Sequence, residues 1–522
     1  MARPAVSGHV EPNEARPLLS PVLDAQEPAI GPPSASSKSV HHFTRCPWPW
    51  MHVVALVIII AVVSDIGESL YAAPRVRLFE SVVCTRYYVY EDPSLVHRHG
   101  HHVPEHLCKV NPVQDELASV LGWQLFFDSI PAILLPVPYG YLADTRGRKR
   151  ILIMAMVGYT LSYVWTLFVT GALHLPLPYV WLSSLFFLLG GGPTVGTTLI
   201  TTVVADVVPA ESRSTVFFYR FCTDLIADLA IPPLTSVLMS KNIWIPLLGA
   251  AVFQGCSTAM VLILPETSPL PMPKEAVDDI DPRSPSMGST TSEPEDHPKS
   301  DKRWKNKIRQ TIDSFSFVQR DTAVAALVLT FLISKVGRQS TNVLFQYASK
   351  RYGWTLSQAG LLLSLRAAVN IALFALILPA IASFGLPRVG SAPLRDLWLA
   401  RGSIIFLLLG TFVLFLSATP ALMIIGIILF TLGTGFAPTA RSLVTSLVEF
   451  HNVETTSDIG RLYALISVME GIGALVAALG MSWALRFGLR LGQAWLGLPF
   501  GFAAILFALV AVITFSIKVR NA

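Results

Sequence analysis

An all-helical integral membrane fold, with about twelve transmembrane helices in two six-helix bundles, follows from three features of this sequence. Of 522 residues, 52% are hydrophobic and only 14% charged, with a mean hydropathy of +0.55. That is too little charge to cover a water-soluble fold of this size. Apolar runs of roughly 20 residues recur along the chain, the length a helix needs to cross about 30 Å of hydrocarbon. The runs fall into two sets of six on either side of a long polar stretch.

Residues 1–50 are rich in Pro, Ser and Ala and read as a disordered cytoplasmic tail. Within it, Glu14-Ala-Arg-Pro-Leu18-Leu19 has the form of an acidic dileucine sorting signal, or is a chance match. The tail and the lack of a small-residue cleavage site make the first apolar run a retained helix, not a signal peptide. The predicted spans are 53–73, 117–140, 151–172, 178–205, 215–239 and 243–264, then 322–347, 356–382, 398–418, 421–447, 461–484 and 493–517. They give a first bundle over 51–264, a cytoplasmic linker over 265–320 and a second bundle over 321–518. The end of the linker sets Trp304, Ile308, Ile312 and Phe315 on one helical side among basic residues. Helices lying on an anionic membrane surface are built this way, and so are some solvated helices.

Orientation follows from Lys and Arg. With a cytoplasmic N-terminus, the inside loops hold Arg146, Arg148, Lys149, Arg150, Arg213, Arg388, Arg395, Lys518 and Arg520, while the third-to-fourth and ninth-to-tenth connections hold none. The outside segment 74–116 is the exception, with basic residues mixed among Glu80, Glu91, Asp92, Glu105, Asp115 and Glu116. An internal repeat also emerges. Span four opens Leu189-Gly-Gly-Gly-Pro and closes on Asp206; span ten opens Leu432-Gly-Thr-Gly and closes on Glu449. Each is fourth in its set, so the halves read as parallel copies whose small residues let helices approach closely.

Gly140-Tyr-Leu-Ala-Asp144-Thr-Arg-Gly147-Arg148-Lys149-Arg150 lies in the loop between spans two and three. Its glycines permit a tight turn, and Asp144 can pair with Arg148 in one conformation and release it in another. This pattern resembles the signature loop of the major facilitator superfamily. The resemblance extends over 53–517 and is similar to a fungal branch related to the proton-coupled folate transporter family, on Pro74-Arg-Val-Arg-Leu-Phe-Glu80, Cys84, Tyr87-Tyr88 and Tyr347-Ala-Ser-Lys-Arg-Tyr-Gly-Trp-Thr-Leu-Ser-Gln-Ala-Gly360. Ile231-Pro232-Pro233 departs from the Gly-Pro-rich element of the drug/proton antiporters. The resemblance implies a major facilitator fold and a monomeric secondary transporter working by alternating access, with the lipid bilayer, a small organic substrate and protons as partners. Gly140, Asp144, Gly147 and Arg148 are its expected gating residues. Two directions stand: efflux of a secondary metabolite or toxic compound, the superfamily's usual role in fungi, or import of an organic anion or folate-like nutrient. The expected location is the cell membrane, with the vacuolar membrane as alternative.

Ionisable groups near mid-bilayer cost about 2.5–3.5 kcal/mol on insertion scales, so they need a partner or a purpose. The first half holds Asp65, Glu68, Asp128, Arg220, Asp224 and Asp228; the second holds Lys335, Arg338, Gln339, Asn342, Arg366, Asn370 and Glu470. An acidic wall facing a basic one suits an organic anion or zwitterion, with Lys335, Arg338, Gln339, Asn342, Arg366 and Asn370 as substrate-binding residues. Asp65, Glu68, Asp228 and Glu470 are the proton-coupling candidates, since a carboxyl in an apolar cavity can load and unload a proton near neutral pH. Arg220 and Asp224, four apart on one helical face, read as a structural pair. Structural salt bridges are the plain reading for each of the others as well.

The five cysteines form no zinc pattern. Cys84 and Cys108 share the outside segment, where a structural disulfide is permitted; Cys222 and Cys256 read as packing residues. His97, His99, His101, His102 and His106 cluster in that segment, but exposed histidines seldom bind metal, and none is assigned. No phosphate loop is present, no cofactor is implied, and the +5 charge is spread over loops, so no nucleic-acid partner is expected. A membrane enzyme would need converging His, Asp or Ser groups, and the spans offer few; a non-transporting sensor would need a long soluble segment.

Overall fold

The computed structural model describes residues 49–98, 103–172, 175–267, 322–381, 392–451 and 456–517. The dileucine sequence, the segment around Trp304 expected to be helical, His99, His101, His102, Arg388, Lys518 and Arg520 lie outside the described residues. Among those described, twelve helices are long and apolar enough to cross a membrane: α1 Trp50–Glu91, α2 Asn111–Leu134, α3 Arg148–Gly171, α4 Leu177–Val207, α5 Thr215–Lys241, α6 Trp244–Val261, α7 Thr322–Tyr352, α8 Leu356–Ala380, α9 Pro393–Leu416, α10 Pro420–Val448, α11 Leu462–Leu491 and α12 Gln493–Ser516. Large apolar side chains such as Leu416, Trp483, Ile505 and Val512 stand exposed around them, as a lipid-facing surface requires. Cys256 lies on an exposed face of α6, not in the packed core that the sequence suggested.

The expected loop after residue 73 is instead helix. At 42 residues, α1 is about 63 Å long, roughly twice the hydrocarbon thickness, so its last turns stand clear of lipid. Pro74 removes one rung of the ladder, and the charges that looked like loop are paired: Arg77 bonds Glu80 one turn on at 3.0 Å. The sequence reading failed here because it scored hydropathy, and this extension is stabilised by polar pairing. Span two also begins earlier than expected and gives way at Leu135 to a short helix, Pro136–Arg146, that carries the signature loop.

The repeat read from span four and span ten has a packing counterpart. A Cβ at Gly158 of α3 would meet the Phe186 and Leu189 carbonyls of α4 at 2.5 and 2.6 Å, and one at Gly190 would meet Ala155 N at 2.2 Å. In the second half, a Cβ at Gly410 of α9 would meet Phe430 N of α10 at 2.3 Å, and one at Gly433 would meet Leu407 N at 2.6 Å. The third and fourth helices of each set therefore approach backbone to backbone at matching places. In α4 the run Gly190–Gly192 has positive φ throughout and divides a 3-10 segment, Leu177–Leu188, from an α segment, Gly192–Val207.

The apolar interior is not continuous. The second set of helices shares one large buried cluster around Phe331, Tyr347, Phe430, Phe436, Phe500 and Phe507. The first set has two. One surrounds Val57, Leu152, Leu199 and Val203 toward the face where α1 begins; the other surrounds Leu70, Phe79, Leu117 and Leu247 toward the face where α1 ends. Between them runs a polar layer, in which Ser64 donates to Gln254, Thr160 bonds Thr258 and Ser257 donates to the Ile60 carbonyl. Asp65 and Glu68 sit at this level of α1.

Candidate functional site

Helix α2 packs on α11 and α5 on α8, so two seams join the halves. Call the face where α1 begins the first face and that where it ends the second. Most of the polar contacts across the seams, among the described residues, lie on the second-face side. Arg486 holds Asp115 with two bonds of 3.0 and 2.9 Å, Gln346 donates to the Gln114 carbonyl at 2.6 Å, Ser236 bonds Ser357 at 2.8 Å, and Lys350 reaches the Lys109 carbonyl. Glu105 accepts from Leu356 N, the first residue of α8, at 2.7 Å. That carboxylate occupies the positive end of a helix dipole.

These contacts hang on a buried acid. Glu80, fully buried, accepts from Arg77, Lys109 and Gln114 at 3.0, 2.7 and 2.8 Å. Lys109 and Arg77 also hold Glu105, at 3.0 and 3.4 Å. Cys84 and Cys108 form a disulfide, with Cα atoms 5.3 Å apart, that fastens this short segment to α1. Of the histidines expected nearby, His97 and His106 are described, and no group of three metal-ligating side chains occurs among the described residues.

At the first face the lower segments Gly192–Val207 and Phe436–His451 pack chiefly on helices of their own set. The signature loop is held within the first half. Arg148 pairs with Asp144 at 3.3 Å and with Asp206 at the end of α4, and its backbone N–H donates to Glu266 at 2.8 Å. Gly147, at φ 105°, makes the turn, and its missing Cβ leaves room for the Glu266 carboxylate. Gly140 has open space around it.

At mid-depth the predicted residues form two charge groups. In the first half Arg220 pairs with Asp65 at 3.1 Å and with Asp224 one turn away; Ser69 donates to Asp228 at 3.0 Å. In the second half Glu470 is clamped by Arg338 at 3.3 Å and Arg441 at 2.5 Å, with Lys335 in electrostatic range. Gln339 and Asn342, in a 3-10 turn of α7, bond each other at 2.8 Å. Asn370 accepts from Thr434 of α10 at 3.1 Å. Arg366 belongs to neither group: it faces Asp228 electrostatically across the seam, where Ser364 touches the Asp228 carbonyl at 3.5 Å. The structure thus brings Lys335, Arg338 and Glu470 together, and sets Arg366 and Asn370 apart from them.

Residues the sequence reading passed over complete the picture. Arg441 of α10 is the second cation on Glu470. Arg75 was hidden because it was assigned to a loop. It lines a cavity of about 280 Å³ inside the first half, with Glu68 and Tyr71 of α1, Gln124 and Asp128 of α2, Tyr159 and Tyr163 of α3 and Ser183 of α4. Asp128 accepts from Ser184 at 2.5 Å and Gln124 at 2.9 Å. Tyr159 and Tyr163 bond each other at 3.1 Å, and Tyr163 stacks on Tyr71 at 4.1 Å. Glu68 is surrounded by protein yet remains accessible through this cavity.

Comparisons with known proteins agree on the fold and kinship. The chain is 35% identical to the MFS efflux pump atnC of Emericella nidulans over 508 residues, 97% of this chain and 94% of that one. It is 32% identical to the efflux pump ustT of Aspergillus flavus over 466 residues, 88% and 87% of the two chains. The crystal structure of the human organic anion transporter MFSD10 superposes with a TM-score of 0.53 over 90% of this chain and 100% of that one, at 15% identity. The sequence profile of the Major Facilitator Superfamily matches residues 110–459, and this twelve-helix chain belongs to that superfamily.

Proposed function

We propose that the chain is a proton-coupled exporter of a small organic solute, working as two six-helix bundles, 51–264 and 321–518, that rock about the mid-depth charge groups. The observation that carries the reading is the layer of carboxylates, Asp65, Glu68, Asp228 and Glu470, at mid-depth beneath the polar seal of the second face. We read the first face as cytoplasmic, from the Arg and Lys around the signature loop, and the polar contacts at the second face suit a state sealed outward, the one that loads an exported solute. Export is supported by the names of the two relatives at 35% and 32% identity. The narrower likeness to the folate transporter family rests on the stretches around Glu80 and Tyr347, which belong to the second-face network, so it informs gating more than substrate. The signature loop, with Asp144 and Arg148, braces the first half so that it moves as a body. The chain acts as a monomer in the cell membrane.

The test begins by comparing the metabolites released by cells with and without the protein. The solute so found is then loaded into inside-out vesicles under an imposed proton gradient. The amide of the true coupling acid, D65N, E68Q, D228N or E470Q, loses gradient-driven accumulation and keeps counterflow. Wild-type accumulation by all four amides would rule out coupling through these acids, and a solute that moves only inward in whole cells would rule out export.

A further inference from the structure

We propose that the cavity within the first half seats a zwitterionic solute of the peptide class, its carboxylate on Arg75 and its ammonium group at Glu68; the inference rests on the reading of the chain as a solute transporter. The observation behind it is an arginine with no carboxylate in contact, although Glu68 and Asp128 lie within electrostatic range across the cavity. Arg220, the other mid-depth arginine described in the first half, has carboxylates in contact. Among the described residues none contacts Arg75, whose Nε is buried without a hydrogen-bond partner. Its guanidinium lies over the Tyr71 ring at 5.3 Å, which orients the planar fork and leaves its edge free. A fork of this kind matches a carboxylate with two parallel bonds.

The acids of the cavity differ in how far they are already satisfied. Asp128 is held by Ser184 and Gln124. Glu68 has no cation in contact among the described residues, and it lines the cavity with Tyr159 and beside Gln124, whose Oε1 accepts no bond. With one guanidinium against two carboxylates, a simple anion on Arg75 would leave the enclosure still more negative, whereas a zwitterion answers both signs. Glu68 and Arg75 are seven residues apart on one helix, two turns or about 10 Å along its axis. That separation favours charges several bonds apart, as in a small peptide, over the adjacent charges of a free amino acid. The stacked Tyr71 and Tyr163 rings supply a flat apolar wall between the charged ends, and a cavity of about 280 Å³ accepts a molecule of dipeptide size.

The experiment measures binding to the purified full chain by thermal shift, which needs no gradient. The probe is the dipeptide phenylalanyl-alanine in four forms: free, N-acetylated, C-amidated and blocked at both ends. The free form is expected to raise the melting temperature, and each single block to weaken binding about tenfold or more, the loss of one charge-assisted contact. R75Q should make the free and C-amidated forms equal, E68Q the free and N-acetylated forms equal, and R75K should retain part of the preference. The proposal is overturned if no form binds, if all four bind alike, if the N-acetylated acid matches the free form in the wild-type chain, or if R75Q still binds the free form more tightly than the C-amidated form. If R75Q does not fold, R75K and E68Q decide alone. Failure of gradient-driven transport with this binding pattern intact would sink the export reading and leave the site standing.

Discussion

Neutralising Asp115 and Glu105 together should open the second face more often. The Asp115–Arg486 pair is bidentate, but its side chains are 27% and 34% exposed, so solvent screening holds it to about 1 kcal/mol. The Glu105 carboxylate on Leu356 N contributes about another 1 kcal/mol, as an anion at a helix N-terminus with a charge-assisted bond. Losing about 2 kcal/mol of closure multiplies the open fraction by roughly 30, at 1.4 kcal/mol per tenfold. Ala73 is a suitable reporter, being 4% exposed on α1 with its Cβ 3.2 Å from where a Gly360 side chain on α8 would begin. In a background lacking Cys222 and Cys256, A73C is labelled from the second face by a membrane-impermeant maleimide. Labelling is slow while the face is closed, so its rate follows the open fraction. D115N with E105Q should raise it about thirtyfold, and R486Q alone should match D115N alone, because both remove one interaction. A rate within twofold of the parent, or an equal rise in a D144N control at the other face, would refute the assignment of these contacts as the seal.

Three further outcomes follow from the same structure. Replacing Cys84 and Cys108 by Ser opens a loop closed over 24 residues, and should cost about 3 kcal/mol of stability, read as a lowered melting temperature that reductant reproduces in the wild type. G190A should lose about 2 kcal/mol or more of stability and reduce the yield of folded protein, because φ is +83° there and a Cβ strikes α3 backbone. G196A, whose Cβ would meet only Met156 Sδ at 3.7 Å, should be neutral or nearly so in the same expression and melting assay. E470A leaves Arg338 and Arg441 facing each other and should destabilise by about 2 kcal/mol, Arg441 being partly exposed and thus partly screened; adding R441Q should recover part of the loss in a double-mutant cycle.

The spans and their grouping were legible because a lipid environment imposes one demand, a run of apolar residues of fixed length, and such runs need no partner to be recognised. The glycines of spans four and ten were legible for a related reason: close helix approach requires the absence of a side chain, and absence shows in one dimension. The continuation of α1 to Glu91 was not, because a window that averages hydropathy registers Arg75, Arg77 and Glu80 as loop. The partners of Glu80, namely Lys109 and Gln114, lie about 30 residues on, and nothing local announces the pairing. Arg441 lies in the middle of span ten, yet its meaning depends on Glu470, one helix later. For Glu68 and Arg75 the seven-residue spacing was visible, but the cavity between them is a property of three further helices.

This division between what was legible and what was not has a physical reason that bears on transport. A carrier must hold two states within a few kcal/mol of each other, so whatever seals a face has to be weak and reversible. Apolar burial at about 25 cal/mol per Å² accumulates too quickly for that purpose, and here it is concentrated inside the halves, in the clusters around Phe331 and Phe507 and around Val57 and Leu199. The second-face seal is made of partly exposed ion pairs and amide bonds, each worth about 1 kcal/mol. Polar contacts of that strength carry no hydropathy signal, and their partners are distant in sequence. Gates should therefore be the least readable part of such a chain, and the polar layer that splits the first half's core carries the same weak chemistry inward.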